Sequence, residues 1–137
     1  MSERVFLDTN VFVYADDADA GDKQARAQQI IVEAVQNGTG VASTQVLQEY
    51  FSVATRKLGI PAEVAQQKVQ LIATMTIIAI DVSAIVESIK LHRLYSLSFW
   101  DALIIQAARL GACKEVLTED MQSGQVVENV RIRNPFL

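Results

Sequence analysis

The stretch RVFLDTN, residues 4–10, passes from a short apolar run to three consecutive polar residues. The apolar half predicts a short buried strand, and helical spacing begins soon after it, at residues 11–15. Ligands of parallel α/β sheets bind beyond the carboxyl ends of the strands. The position of Asp8, directly after the predicted strand, therefore makes it the first candidate functional residue.

Short apolar runs and amphipathic stretches alternate along the rest of the chain. Further strands are predicted at residues 40–43, 76–80, 115–118 and 130–133. The run TIIAI at 76–80 is the clearest, because it is continuous and apolar, as strands covered on both faces are. Strands separated by helices predict a three-layer α/β/α fold with a parallel sheet and right-handed crossovers.

Helical periodicity and end signals predict the helices between these strands. They cover residues 23–37, 44–59 and 61–73, followed by one helix that begins at Ser83 and one that begins at Ser98. Thr44, Ser83 and Ser98 are the predicted N-caps, and Gly111 is the predicted end of the last helix. That last helix is apolar nearly all round, which predicts a central, buried position.

The composition indicates one globular domain, residues 1–137. Half of the 137 residues are hydrophobic, and only 2 Pro and 6 Gly are present, so disorder is not expected. The N-terminus lacks an apolar signal core, and the charge-free stretches are too short to cross a bilayer. The single Cys113 fits a reducing compartment. These features predict a cytoplasmic protein with no membrane association.

The charge balance limits the possible partners and metals. Net charge is −4 and the basic residues are scattered, so the chain is a poor non-specific ligand for nucleic acid. If the partner is a nucleic acid, a divalent cation is one candidate for neutralising its phosphates. One histidine (His92) and one cysteine exclude the usual zinc sites, so a metal site would be built mainly from oxygen.

Four acids occupy positions that a parallel sheet can bring to one edge. Asp8 follows the first strand, Glu49 lies in a helix beside an apolar stripe, Asp101 lies in a first helical turn, and Asp120 follows a late strand. Converging carboxylates are costly unless a cation lies among them. Oxygen-only ligation suits Mg²⁺ or Mn²⁺, which can activate water and stabilise phosphoryl transfer.

Each acid also has a structural interpretation. Asp8 and Asp120 are suited to capping helices or turns. Ser98 and Asp101 have the spacing of a capping box, with Asp in the place of Glu. Glu49 lies at the border of an apolar stripe, where acids usually extend their carboxylate to solvent. Both interpretations remain open from the residues alone.

Four motifs in order resemble the PIN domain family, closest to the VapC-type toxins of toxin–antitoxin pairs. They are hydrophobic-Asp8-Thr9-Asn10, Glu49 in QVLQEY, Asp101 in SFWDALI, and Thr118-Glu119-Asp120. The tail at residues 124–136 is also similar to that group. The resemblance spans essentially the whole chain.

The resemblance implies a central five-stranded parallel sheet of order 3-2-1-4-5, with Asp8 and Asp120 on neighbouring strand ends. It implies Mg²⁺- or Mn²⁺-dependent cleavage of RNA by a toxin. Under it, Asp8, Glu49, Asp101 and Asp120 would be the acidic metal-site residues. Asp8, Asp101 and Asp120 would hold the metal directly or through water, and Glu49 would complete its shell and help to position the attacking water. Asn10 and Thr118 match the motif's polar companions and would orient water or a carboxylate.

The resemblance also implies two protein partners, a second copy in a homodimer and a cognate antitoxin. An acidic cleft would accept an Arg or Lys from the antitoxin as a mimic of the metal charge. The helix at residues 62–73 is one candidate for the dimer face.

Other functions compete with the nuclease. An aspartyl-phosphate phosphatase would use Asp8 as its nucleophile, but Asn10 stands where such enzymes have a second Asp. A receiver-like signalling domain would use Asp81, but Phe6 and Leu7 occupy the places of its acidic pair. A third alternative is an inactive PIN scaffold that only binds RNA or protein.

Overall fold

A computed structural model describes residues 3–137. The strands are β1 (Val5–Leu7), β2 (Gly40–Ser43), β3 (Thr76–Ile78), β4 (Glu115–Leu117), β5 (Val126–Val127) and β6 (Val130–Arg133). The helices are α1 (Thr9–Ala15), α2 (Asp22–Asn37), α3 (Thr44–Arg56), α4 (Ala62–Ile72), α5 (Val82–Tyr95) and α6 (Phe99–Leu110), with a 3₁₀ turn at Ala18–Ala20. None of the helices in this part of the chain is long and apolar enough to span a membrane.

The strands form one sheet in the order β3-β2-β1-β4-β6-β5. Five of them are parallel and follow the predicted order, which confirms the predicted α/β architecture. The sixth, β5, pairs antiparallel with β6 through a two-residue turn in which Glu128 and Asn129 have φ of 49° and 68°. Positive φ at both turn positions is the geometry of a tight hairpin. A strand of two residues has no periodicity, so it was not predicted.

The centre of the sheet is β1, between β2 and β4. Phe6, Leu7, Val41 and Val116 are completely buried there. Helix α6 packs across β2, β4 and β6 and against α5, whereas α1 packs against α2 and α3. The carboxyl ends of β1 and β4 lie side by side, because Leu7 pairs with Leu117.

Two predicted N-caps were wrong, and each true cap lies nearer the preceding strand. Ser43, not Thr44, caps α3, and its Oγ accepts a hydrogen bond from the Val46 N–H at 3.4 Å. The Thr44 hydroxyl instead accepts from the Ile80 N–H at 3.2 Å. Asp81, not Ser83, caps α5. Ser98 and Gly111 bound α6 as predicted.

One prediction of burial was wrong, and another is confirmed only in part. The strand at 76–80 ends at Ile78 and is only half-buried, because it forms an edge of the sheet. Helix α6 is buried at residues 102–108, but Trp100 is 63% exposed and Leu110 is 53% exposed. Hydrophobicity alone does not distinguish an edge strand from a central one, or the middle of a helix from its ends.

Candidate active site

Asp8 lies at the junction of β1 and α1, where it is only 5% exposed. Its backbone N–H donates to the Leu117 carbonyl at 3.1 Å, which extends the pairing of β1 with β4. Its side chain caps α1, with Oδ1 accepting from the Thr9 N–H at 2.7 Å. The capping interpretation of Asp8 is therefore correct, but it accounts for only one carboxylate oxygen.

The second oxygen of Asp8 is held by Thr118, which is fully buried. The Thr118 hydroxyl donates to Oδ2 of Asp8 at 2.8 Å. It accepts from Nδ2 of Asn10 at 3.3 Å and from the Asp120 N–H at 3.1 Å. Nδ2 of Asn10 also donates to Oδ2 of Asp120 at 3.1 Å. The structure thus joins four of the predicted site residues in one hydrogen-bonded cluster at the ends of β1 and β4.

Glu49 reaches this cluster from α3. The Thr9 hydroxyl donates to Oε1 of Glu49 at 3.0 Å, one residue from Asp8. The next residue, Tyr50, is buried and donates its hydroxyl to Oδ2 of Asp16 at 2.6 Å. Lys68 of α4 pairs with the other oxygen of Asp16 at 2.9 Å. These contacts tie α1, α3 and α4 together and fix the helix that carries Glu49.

Asp101 approaches from the first turn of α6. Its backbone N–H donates to Oγ of Ser98 at 3.0 Å, so this capping hydrogen bond uses the backbone of Asp101. Burial raises the pKa of the Asp101 carboxyl, the Ser98 hydroxyl lowers it, and the negative charge of Asp120 raises it, with a net increase. Asp101 is thus within electrostatic range of Asp120, but among the described residues no hydrogen bond joins its carboxyl to the cluster at the ends of β1 and β4.

Electrostatic repulsion also links the other acids. Burial is the main cause that raises the pKa of Asp8 from 3.8 to about 6. The hydrogen bonds from Thr118 and Thr9 lower it, whereas the charges of Asp120 and Glu49 raise it further. The charges of Asp120 and Glu49 therefore act on Asp8, and the charge of Asp120 also acts on Asp101.

The donor chemistry of this region fits a hard divalent cation. All four acids offer carboxylate oxygens, and Oδ1 of Asn10 is buried without a hydrogen-bond partner. Within residues 3–137, no three acidic, histidine or cysteine side chains lie close enough to enclose a metal ion directly. Mg²⁺ keeps several water ligands, so carboxylates at wider spacing can still hold it through water.

A family model described as the PIN domain matches residues 5–126 of the chain. The chain belongs to the PIN domain family. The matched range contains all four acids of the site, and its core is the β1–β4 pairing described above. No curated protein matches the chain.

Solved structures share this PIN fold over nearly the whole chain. A toxin–antitoxin complex from Klebsiella pneumoniae has a TM-score of 0.68 at 21% identity, covering 96% of this chain and 97% of that chain. VapC20 of Mycobacterium tuberculosis, a toxin that cleaves the sarcin–ricin loop, has a TM-score of 0.68 at 18% identity, and the match covers 85% of this chain and 91% of that chain. VapBC2 from Rickettsia felis, bound to a DNA fragment from its promoter, has a TM-score of 0.65 at 20% identity, and the match covers 95% of this chain and 97% of that chain. At these identities the likeness shows a shared fold.

One contact of the PIN motif at residues 118–120 was missed by the sequence analysis. Glu119 pairs with Nζ of Lys23 at 2.6 Å and accepts a hydrogen bond from the Tyr14 hydroxyl. Burial raises the pKa of Glu119, but these two partners more than offset that effect and the net pKa is lowered. Glu119 thus anchors the segment that carries Asp120 to α1 and α2. No local pattern indicates a pair so far apart in sequence.

The residue central to the receiver-like alternative lies elsewhere. Asp81 follows the edge strand β3, and its Oδ1 accepts from the Ala84 N–H at 2.9 Å as the cap of α5. The phosphatase alternative also gains no support, because Asn10 uses its amide to bind Thr118 and Asp120.

The hydroxyl of Thr118 is expected to be essential to this PIN site. Thr118→Val keeps the volume but removes the donor to Asp8 and the acceptor for Asn10 and Asp120. We expect the free energy of unfolding to fall by about 1–3 kcal/mol, the cost of leaving buried polar partners unpaired. Thr118→Ser, which keeps the hydroxyl, is the matched control. Chemical denaturation of both variants measures the difference, and a Thr118→Val protein as stable as Thr118→Ser would show that the hydroxyl contributes no more than the methyl group.

Proposed function

We propose that this PIN protein is a metal-dependent endoribonuclease that hydrolyses RNA phosphodiester bonds, and that it acts as the toxin of a toxin–antitoxin pair. The observation that carries the proposal is the hydrogen-bonded cluster of Asp8, Asn10, Thr118 and Asp120 at the ends of β1 and β4, with Glu49 bound to the adjacent Thr9. The raised pKa values of Asp8 and Asp101 mark a site that favours added positive charge.

Under this proposal the cofactor is Mg²⁺ or Mn²⁺. Asp8, Asp101 and Asp120 would hold it directly or through water, which suits an all-oxygen site with one buried, unpaired amide oxygen at Asn10. The chemistry that such an ion supplies when bound is the activation of water and the stabilisation of charge on the phosphate.

The side chains of the chain itself have distinct roles in the proposal. Glu49, whose carboxylate is exposed and held by the Thr9 hydroxyl, orients the attacking water. Thr118 and Asn10 fix the carboxylates of Asp8 and Asp120 before substrate binds, so little reorganisation is needed at the moment of reaction. None of the four acids needs to act as a nucleophile.

The partners proposed are an antitoxin and a second copy of the chain. A cavity of about 400 Å³ lies between α1, α2 and α4, and three apolar side chains at its rim are more than half exposed: Val32, Val35 and Leu71. Such a surface suits an apolar segment of an inhibitor protein. The compared complex from Klebsiella pneumoniae supports a partner of this kind. We propose a cytoplasmic location, which the free, buried Cys113 supports.

The deciding experiment is cleavage of a mixed RNA panel by the purified protein, with Mg²⁺, with Mn²⁺ and with a chelator. We expect fragments only when a divalent ion is present. Asp8→Asn protein purified in the same way controls for contaminating nucleases. Wild-type protein that leaves every RNA intact in both metals would end the nuclease proposal. Binding without cleavage would favour the inactive scaffold.

The variant Asp101→Asn distinguishes a catalytic role of Asp101 from a helix-capping role. We expect Asp101→Asn to lose RNA cleavage without melting lower in the absence of metal, because the change removes repulsion from Asp120. Asp81→Asn is the matched control, since it alters the same functional group at the start of α5. It should lose only about 0.3–1 kcal/mol of helix-terminus stabilisation and still cut RNA. If Asp101→Asn melts lower and cuts normally, Asp101 is a cap and not part of the site.

A further inference from the structure

Trp100 is the only tryptophan of the chain, and 63% of its surface is exposed. It lies in the first turn of α6, immediately before Asp101. Large aromatic side chains contribute most to folding when they are buried, and tryptophan is highly buried on average. The fold of this domain therefore gains little from the size of the Trp100 side chain.

The surroundings of Trp100 leave much of its ring accessible. Its ring packs edge-to-face against Phe99, with 5.2 Å between centroids and an interplanar angle of 65°. Such a contact orients the indole but covers at most one of its faces. The rest of the ring is open to a flat ligand.

Trp100 directly precedes Asp101 in α6. Helix α6 ends just before β4 begins and packs along the sheet, so its first turn lies on the side where the parallel strands have their carboxyl ends. Side chains of consecutive helical residues point about 100° apart, so the indole lies to one side of the Asp101 carboxyl. A polymer bound at the acids would reach the indole where it leaves the site across the first turn of α6.

The charges around the site explain why such a contact would be needed. Lys23 is paired with Glu119, and Lys68 is paired with Asp16. These nearby cations are already neutralised, and the net charge of the chain is −4. Attraction between lysine and phosphate is thus a weak source of RNA affinity here, whereas stacking on an aromatic ring does not depend on net charge.

We propose that Trp100 is the stacking platform for a nucleobase of single-stranded RNA beside the scissile phosphate. This inference rests on the proposed ribonuclease function and adds a residue that selects unpaired RNA. Bases splayed out of single-stranded segments stack on aromatic side chains, whereas bases within a duplex are already stacked on one another.

Steady-state cleavage of a short unstructured RNA tests the role of the ring. We expect Trp100→Ala to raise KM by about 5-fold to 150-fold, the range measured for loss of one base–aromatic stack. We expect kcat to change little, because stacking is made in both the ground state and the transition state. Trp100→Phe keeps a ring and should recover most of the loss. Leu110→Ala, an exposed apolar change at the other end of α6, should leave both constants unchanged.

Fluorescence gives an independent readout, because Trp100 is the only indole of the chain. Titration of the same RNA into Asp8→Asn protein, which should bind without cutting, is expected to quench the emission. An equal length of duplex RNA should quench it less. This measurement needs no substitution at Trp100, so it does not depend on how a Trp100 variant folds.

Three results would overturn the inference. The first is RNA cleavage with the wild-type KM in Trp100→Ala. The second is RNA binding without any change in Trp100 emission. The third is emission that shifts with protein concentration alone, which would indicate that a second copy covers this surface. If the wild-type protein cuts no RNA at all, the proposed ribonuclease function fails and this inference fails with it. The first three results differ from that outcome because they leave cleavage by the wild-type protein intact.

Discussion

Asp8→Asn is expected to abolish RNA cleavage while the metal-free protein keeps its fold and melts no lower than the wild type. Asp8 is the most buried of the four acids and contacts both Thr9 and Thr118. Loss of its charge removes a proposed metal ligand at the centre of the site. We expect the rate to fall by more than about 100-fold, the size of effect seen when one preorganised electrostatic group is removed.

The expected stability of this variant follows from two opposing magnitudes. Asparagine keeps an oxygen for the Thr9 N–H but loses the acceptor for the Thr118 hydroxyl, which costs about 1 kcal/mol. The pKa of Asp8 is raised from 3.8 to about 6, which corresponds to about 3 kcal/mol of destabilisation of the charged form. The free energy gained when the buried, repelled charge is removed therefore exceeds the free energy lost with the hydrogen bond. The metal-free variant should then be the more stable protein at neutral pH.

Thermal melting of both proteins, with and without Mg²⁺, measures this balance. Metal should raise the melting temperature of the wild type more than that of Asp8→Asn, since a ligand stabilises only the state that binds it. An Asp8→Asn protein that unfolds at a lower temperature than the metal-free wild type would contradict the electrostatic argument. Retention of cleavage would contradict the role of Asp8.

The pH dependence of stability is the second large effect. The folded-state pKa of Asp8 lies above the value of an exposed carboxyl, so the folded protein binds this proton more tightly than the unfolded chain does. The resulting stability is fully present at low pH and is lost as pH rises through the folded pKa, about 6. Between about pH 3 and pH 7, the metal-free wild type should lose about 3 kcal/mol relative to Asp8→Asn.

The quantity to measure is the difference in free energy of unfolding between the wild type and Asp8→Asn. Other acids change stability with pH in the opposite direction, and the difference removes their contribution. The pKa of Glu119 is lowered, so its contribution is present at neutral pH and lost as pH falls. Urea denaturation at several pH values in a chelator gives both curves, and subtraction removes the contribution of Glu119. If the difference in free energy of unfolding stays constant from acid to neutral pH, the charged form of Asp8 does not destabilise the folded protein.

Much of the fold could be predicted because each parallel strand carries its own local pattern. Five apolar runs separated by helices were enough to indicate the α/β architecture, and Asp8 and Asp120 are indeed hydrogen-bonded into one cluster through Thr118. The position of each acid relative to its strand is a local property, so the sequence can show it.

The features that were missed depend on long-range packing. Glu119 and Lys23 meet only because the fold brings the start of α2 to the segment that follows β4, and Asp16 binds Tyr50 and Lys68 for a similar reason. The exposure of Trp100 follows from where α6 begins relative to the sheet, which helical periodicity does not encode. These tertiary contacts fix the helices around the four acids, although no single motif predicts them.

The pairing of β1 with β4 has a consequence for the synthesis of the chain on the ribosome. The hydrogen bonds from Thr118 to Asp8 and from Asn10 to Asp120 each span 110 residues of sequence. A nascent chain that ends before β4 carries Asp8, Glu49 and Asp101 but has neither the neighbouring strand nor the fourth acid. At bacterial or eukaryotic elongation rates of about 5–20 residues per second, roughly 5–20 seconds pass between the synthesis of β1 and the synthesis of its partner strand β4. An enzyme that cuts RNA would thus remain harmless to its own messenger until almost the whole domain has been translated and has closed.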